Sequence, residues 1–135
     1  MNQKSHALIE AYYAAFNAGD MDTFLHLLTD DVIHDINQGH REIGKAAFAA
    51  FMDRMNQNYG EQLAEMVIMT SDDGTRAAAE FVVLGTYKVT DEGLPEARGQ
   101  SYRLPAGAFF DLRDGKVARI TNYYNLEDWM AQVSA

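Results

Sequence analysis

The sequence contains no cysteine among its 135 residues. This absence excludes disulfide bridges, thiolate-bound metals and a cysteine nucleophile. No apolar run approaches the length needed to cross a membrane, and residues 1–4 lack the pattern of a signal peptide. We therefore expect a cytoplasmic protein that has no membrane partner.

Positive charge is also scarce, because 11 Lys and Arg residues stand against 20 Asp and Glu residues and leave a formal net charge of -9. Non-specific binding to nucleic acid requires the opposite sign, so no nucleic-acid partner is expected. Patterns typical of a phosphate-binding loop and of a serine nucleophile elbow are missing. His34, Asp35 and His40 are close in the chain, but they do not have the spacing of a metal site. We expect neither a metal nor a cofactor.

Hydrophobic residues make up 47% of the sequence, which is enough to form one core. A chain of this length buries roughly two-thirds of its unfolded surface. We therefore predict a single domain over residues 1–135.

Hydrophobic spacing predicts helices in the first part of the chain and strands in the second part. The helices are expected at 5–17, 21–28, 44–58 and 126–133, and the strands near 32–36 and at 63–71, 75–90, 100–112 and 116–124. Pro105 and Gly107 suggest a bulge or a bend within the strand at 100–112. This order indicates an α+β fold in which N-terminal helices wrap a curved antiparallel sheet and leave a cone-shaped interior. The loop at 91–99 could close over that interior, with Gly93 as its hinge.

The stretch from Asp30 to Gly39 carries the most unusual pattern, because polar side chains interrupt a short apolar strand. Strand alternation places His34 and Asp35 on opposite faces. Our hypothesis is that Asp35 lies in a pocket and does acid–base work. The alternatives for Asp35 are an ion pair with Arg41 or Lys45, or the capping of a turn. For His34, the alternative to a substrate contact is a partly buried ring bonded to the backbone.

Two segments carry a family likeness. The first runs from Phe16-Asn17-Ala18-Gly19-Asp20 to Asp30-Asp31-Val32, and the second is Phe109-Phe110-Asp111-Leu112-Arg113-Asp114-Gly115-Lys116-Val117. Together they resemble the nuclear transport factor 2-like superfamily, and within it the ketosteroid-isomerase-related, SnoaL-like proteins. The resemblance covers nearly the whole chain and implies a cystatin-like α+β roll. It is weak for the substrate, since this fold hosts isomerases, cyclases, hydrolases, dehydratases and binders.

The resemblance also implies roles for particular residues. Asp35 falls at the position of the isomerase general base, and Tyr12 falls at the position of the oxyanion-binding tyrosine. Gly107 stands where those isomerases carry a protonated acid, so steroid isomerisation itself is in doubt. In those isomerases, apolar surroundings keep that acid neutral so that it can donate a hydrogen bond.

The chemistry expected of these residues is proton removal next to a carbonyl group. An apolar mouth would raise the pKa of the Asp35 carboxyl, and the phenol of Tyr12 would stabilise the resulting oxyanion. His34, Asn37, Asn122 and Tyr124 are predicted to contact the substrate. Tyr12 has an alternative role as a core aromatic.

The sequence therefore predicts a cofactor-free isomerase-like enzyme, or a cyclase or dehydratase, whose partner is a small hydrophobic molecule in the cone. The alternative is a non-catalytic domain that binds a small ligand or dimerises. We also expect a homodimer formed through the outer face of the sheet. Tyr87, Tyr102 and Tyr123 could form an apolar patch on that face.

Overall fold

Four helices lie against one side of a six-stranded sheet in the computed structural model, which describes residues 2–135. The helices are α1 (Gln3–Ala18), α2 (Met21–His26), α3 (Lys45–Asn58) and α4 (Leu126–Ser134). The strands are β1 (Leu28–Asp35), β2 (Arg41–Ile43), β3 (Tyr59–Thr70), β4 (Arg76–Tyr87), β5 (Ser101–Arg113) and β6 (Lys116–Tyr124). The predicted α+β class is confirmed.

The strand order in the sheet is β2-β1-β6-β5-β4-β3. All neighbouring strands are antiparallel except β1 and β6, which run parallel. The sequence did not predict this parallel pair or the short strand β2. Pairing of β1 with β6 places the polar stretch at 34–37 beside the end of the last strand.

Local capping fixes three helix ends, whereas the end predicted for the second helix at residue 28 is wrong, because α2 ends at His26 and Leu28 begins β1. Gly19 ends α1 in the left-handed conformation, with φ 71°, which glycine adopts without a Cβ clash. The Asp20 carboxylate accepts a hydrogen bond from the Thr23 N–H and caps α2. The Asn125 side chain accepts one from the Asp128 N–H at the start of α4. Each cap supplies a partner for a backbone N–H that the helix itself cannot satisfy.

Strict alternation along β4 separates an inner face from an outer face of the sheet. Phe81 and Val83 are buried on the inner face, whereas Glu80 and Leu84 are exposed. Rings from α1 reach the same inner face, since Tyr13 lies 5.3 Å from Phe81 between ring centroids. The main core therefore lies between this face and the helices.

Strand β3 begins at Tyr59, four residues before its predicted start, because Tyr59 already pairs with Tyr87. The bulge expected at Pro105 and Gly107 is wrong, since β5 keeps continuous register with β4 there. The register shifts lie elsewhere: between Ala64 and Val67 where β3 pairs with β4, between Asp111 and Leu112 where β5 pairs with β6, and between Leu28 and Ile33 where β1 pairs with β6. A residue of left-handed backbone, Glu65 with φ 54°, forms the first of them.

Three residues face a different side from the one expected. Tyr87 and Tyr102 are buried on the inner face and do not form an outer patch, whereas Tyr123 is exposed. Gly107 pairs with Glu80 and Tyr123, so it belongs to the outer face and cannot occupy the position of a cavity acid. Its neighbour Ala106 is the residue that reaches the interior.

Candidate active site

A cavity of about 440 Å³ lies between the inner face of the sheet and the helices. Most of its wall is apolar, with aromatic rings from Tyr12, Tyr13, Phe24, Phe48, Phe51 and Trp129. Its size is that of a small-molecule site. The cone with an interior that the sequence predicted is therefore present.

Five of the six predicted site residues line this cavity. They are Tyr12, His34, Asn37, Asn122 and Tyr124. Parallel pairing of β1 with β6 explains why they meet, because His34 is the register partner of Ile120, two residues from Asn122. Their proximity is a finding, whereas their roles remain predictions.

Asp35, the sixth predicted residue, does not line the cavity. Its carboxylate accepts hydrogen bonds from Arg41, at 2.6 Å from Nε and 3.0 Å from Nη2, and Arg119 lies 3.9 Å away. The hydrogen bonds from Arg41 hold the pKa of the Asp35 carboxyl below its ordinary value. The expected apolar surroundings and raised pKa are therefore wrong, and the ion pair with Arg41 that the sequence left open is confirmed.

Tyr12 and Tyr13 are adjacent on α1, and both are buried in the cavity wall. Burial raises the pKa of both phenols, so each keeps its proton. The ring centroids of Tyr12 and Phe24 lie 4.4 Å apart. Tyr12 is therefore also a core aromatic, which is the alternative role predicted for it. The Tyr13 hydroxyl has no hydrogen-bond partner among residues 2–135.

His34 is 3% exposed and lies between two phenylalanines. Its ring stacks on Phe48 at 4.6 Å and meets Phe51 edge-on at 4.5 Å. Burial lowers the pKa of the imidazole, which favours the neutral form at neutral pH. Its Nδ1 has no hydrogen-bond partner in the described part of the chain. The expectation of a ring nitrogen bonded to the backbone is therefore wrong for Nδ1.

Glu61 is a cavity residue that the sequence did not reveal. Burial raises the pKa of its carboxyl, and the Tyr102 hydroxyl donates a hydrogen bond that partly opposes the increase. Tyr124 lies near enough to interact electrostatically with both Glu61 and Asp91. Glu61 thus has the apolar surroundings and raised pKa that the sequence predicted for Asp35. The sequence did not reveal Glu61 because the predicted strand began at residue 63, which placed Glu61 in a loop.

The loop at 88–100 forms one side of the cavity through Asp91, Glu92 and Leu94. Two tyrosines hold this loop through hydrogen bonds. The Tyr87 hydroxyl donates to Pro95 O at 2.6 Å and accepts from the Asp91 N–H at 3.0 Å, and the Tyr59 hydroxyl donates to Asp91 at 2.9 Å. The loop is thus positioned to control access, and hinging at Gly93 remains a prediction.

Within residues 2–135, no group of three or more His, Asp or Glu side chains is arranged to hold a metal ion. None of the helices described has both the length and the apolar character needed to cross a bilayer.

A model of the SnoaL-like domain matches residues 9–120. The chain belongs to this SnoaL-like family. A solved structure from Pseudomonas putida KT2440, described as a "putative polyketide cyclase", is 63% identical, with a TM-score of 0.95 over 98% of this chain and 99% of that one. Another with the same description, from Xanthomonas campestris pv. campestris, is 60% identical, with a TM-score of 0.94 over 97% of each chain. None of the curated proteins matches this SnoaL-like chain.

A more distant structure supports the wider fold assignment. An NTF2-like protein of unknown function from Burkholderia pseudomallei K96243 is 16% identical and has a TM-score of 0.82 over 99% of this chain and 100% of that one. At this identity the likeness shows the fold alone. The predicted NTF2-like fold is confirmed, and the family match confirms the SnoaL-like resemblance.

Proposed function

We propose that this SnoaL-like protein is a cofactor-free enzyme of the isomerase or cyclase type, with Glu61 as its general base. One observation carries the proposal: the Glu61 carboxyl lines a mostly apolar cavity in which burial raises its pKa. A carboxylate of raised basicity suits proton removal from carbon. The two solved relatives described as polyketide cyclases support the same class of chemistry.

The proposed reaction begins when the Glu61 carboxylate removes a proton from the carbon next to a substrate carbonyl. The C–H electron pair moves into the new carbon–carbon double bond, and the carbonyl oxygen becomes an enolate oxygen. The Tyr12 phenol, which keeps its proton, is the proposed donor to that oxygen. In an isomerisation, Glu61 returns the proton to another carbon. In a cyclisation, the enolate carbon attacks a second carbonyl, and the new alkoxide takes the proton.

The charges of the cavity disfavour an anionic substrate. Among its described lining residues, Glu61, Asp91 and Glu92 carry carboxyl groups, and Arg54 supplies a guanidinium. Arg54 is exposed and lies 5.4 Å above the Phe51 ring. We therefore propose a small apolar ketone or ester, which His34, Asn37 and Asn122 would orient by hydrogen bonds.

The proposed function is tested by a screen of small carbonyl compounds against wild type, Glu61→Gln and Asp35→Asn. Glutamine keeps the shape of the side chain but cannot accept a proton at the operating pH. We expect Glu61→Gln to lose at least about a hundredfold in kcat, the range of general-base contributions. Asp35→Asn should retain most of the turnover, because Asp35 lies outside the cavity. If only Asp35→Asn loses turnover, the general base is Asp35 and not Glu61.

A second candidate function is ligand binding without catalysis. The observation that favours it is the pairing of Asp35 with Arg41, which removes the base implied by the family resemblance. In that case, compounds that bind in the cavity are recovered unchanged, and Glu61→Gln alters only their affinity.

We also propose a homodimer formed through the outer face of the sheet, in a cytoplasmic setting. Support comes from exposed apolar side chains on that face, including Phe109 and Tyr123, whose rings lie 5.7 Å apart. Their burial in an interface would be favourable. Sedimentation at micromolar concentration tests the proposal, and a monomer there contradicts it.

A further inference from the structure

Glu61, Gly85 and Tyr102 form one row across three neighbouring strands. Glu61 of β3 is the register partner of Gly85 in β4, and Gly85 is the register partner of Tyr102 in β5. Directly paired residues share a face of the sheet. All three therefore lie on the inner face, where the cavity is.

The Tyr102 ring occupies the space above Gly85. A Cβ built on Gly85 would lie 2.2 Å from Tyr102 Cζ and 2.5 Å from its hydroxyl oxygen. These separations are far inside van der Waals contact, so no other residue fits at position 85 while the ring stays in place. The phenol crosses the middle strand only because that strand carries no side chain there.

This crossing brings the phenol to the carboxylate. Strands β3 and β5 lie two spacings apart, about 10 Å, and the Tyr102 hydroxyl nevertheless donates a hydrogen bond to Glu61 Oε2. Burial, with the charge of Glu61, raises the pKa of the phenol, so it remains a donor. Trp129 holds the other side of the ring in an edge-on contact, with centroids 6.1 Å apart.

We propose that Tyr102 is a positioning residue, which holds the Glu61 carboxylate toward the cavity, and that residue 85 is glycine to let the phenol pass. This inference rests on the proposed role of Glu61. It assigns to Tyr102 no contact with the substrate. The phenol acts by fixing the direction of the carboxylate and by stabilising its charged form.

Other groups around Glu61 have to be held constant in a test. Tyr59 lies on the same strand, Tyr124 on β6 and Asp91 in the loop at 88–100. Lys88 lines a neighbouring recess together with Glu61. None of these is altered by substitution at position 85 or 102.

The test is a carbon-13 NMR titration of the Glu61 carboxyl in the full chain without substrate. In Tyr102→Phe, loss of a hydrogen bond to the charged form should reduce the acid dissociation constant of Glu61 about tenfold. Gly85→Ala should change it in the same direction although Tyr102 is retained, because the new methyl group displaces the phenol. The double variant should titrate like Tyr102→Phe, since the same bond cannot be lost twice.

Gly60→Ala is the matched control, because a Cβ on Gly60 meets only the Lys88 side chain, at 3.6 Å. It should titrate like wild type. An unchanged Glu61 titration in Tyr102→Phe would overturn the inference, as would a wild-type titration in Gly85→Ala. Tyr102→Phe keeps the ring and supplies the decisive result if Gly85→Ala does not fold.

The titration also separates this inference from the proposed function. It is read without substrate, so it succeeds or fails independently of turnover in Glu61→Gln. If both hold, the lower limb of the pH dependence of kcat should move to higher pH in Tyr102→Phe, in parallel with the NMR titration. A residue of purely structural importance would lower the Tm without moving that limb.

Discussion

His34 and Asp35 are adjacent in β1, yet they lie on opposite sides of the sheet. His34 stacks on Phe48 in the cavity wall, whereas Asp35 pairs with Arg41 on the outer side. Strand alternation separates them, because successive side chains point to opposite faces. The consequence is that β1 supplies an imidazole to the cavity, whereas the carboxyl groups of the cavity wall come from Glu61 of β3 and from Asp91 and Glu92 of the loop at 88–100.

The imidazole of His34 gives the first prediction. His34→Phe should keep the contacts with Phe48 and Phe51 and remove an Nδ1 that has no partner. The free energy of unfolding should therefore stay the same or rise. If Nδ1 binds the ligand, the dissociation constant should rise about tenfold. Thermal unfolding and calorimetric titration measure the two quantities.

His40→Phe serves as the control for His34→Phe, because the His40 side chain is 77% exposed and lies outside the cavity wall. Unchanged ligand affinity in His34→Phe would show that the imidazole has no part in recognition.

The two tyrosines of α1 allow a matched comparison. Tyr12→Phe should lower kcat about a hundredfold or more if its phenol donates to the enolate oxygen, the usual cost of losing one such donor. Tyr13→Phe removes a hydroxyl without a partner, so it should change neither kcat nor stability by much. Steady-state kinetics and thermal unfolding distinguish them. Equal losses in both variants would trace the effect to packing.

The raised pKa of Glu61 predicts how stability depends on pH. A folded carboxyl with a raised pKa binds more protons than the unfolded one, so stability falls as pH rises from the ordinary value of 4.5 through the folded pKa. Glu61→Gln has no carboxyl to ionise at this position, so it does not lose stability in this way as the pH rises. Its Tm relative to wild type should therefore increase with pH across that interval.

The control for this pH series is Glu80→Gln, since Glu80 is exposed on the outer face. Its Tm should follow wild type at each pH. A constant Tm difference between Glu61→Gln and wild type would contradict the raised pKa.

The loop at 88–100 supplies the fourth prediction. Tyr87→Phe removes the hydrogen bonds to Pro95 O and from the Asp91 N–H, at a cost of about 1–2 kcal/mol in stability. Amides at 91–99 should exchange faster with solvent, and KM should rise more than kcat falls. Hydrogen-exchange mass spectrometry and kinetics measure these effects. The control is Glu80→Gln, since Glu80 is exposed on the outer face and lies outside the cavity wall. Unchanged exchange at 91–99 would show that Tyr87 does not hold the loop.

Local signals predicted those parts of the fold that depend on local physics. Gly19 ends α1 and Asp20 caps α2, because capping is decided within four residues. Alternation correctly placed Asn122 and Tyr124 on one face of β6. The position of Gly107 was wrong because a count of residues from a turn does not say which face of the strand a residue occupies. Strand β5 alternates without interruption, and Gly107 pairs with Glu80 and Tyr123 on the outer face.

The sequence by itself determined the α+β order of elements and the presence of an apolar interior, because hydrophobic period, caps and turns depend on neighbouring residues. It also carries the two motif segments that indicated the SnoaL-like family. Only the tertiary structure decided which carboxyl faces that interior. Whether an acid is paired by arginine or buried beside a phenol depends on strands that meet from distant parts of the chain, as Glu61, Gly85 and Tyr102 do.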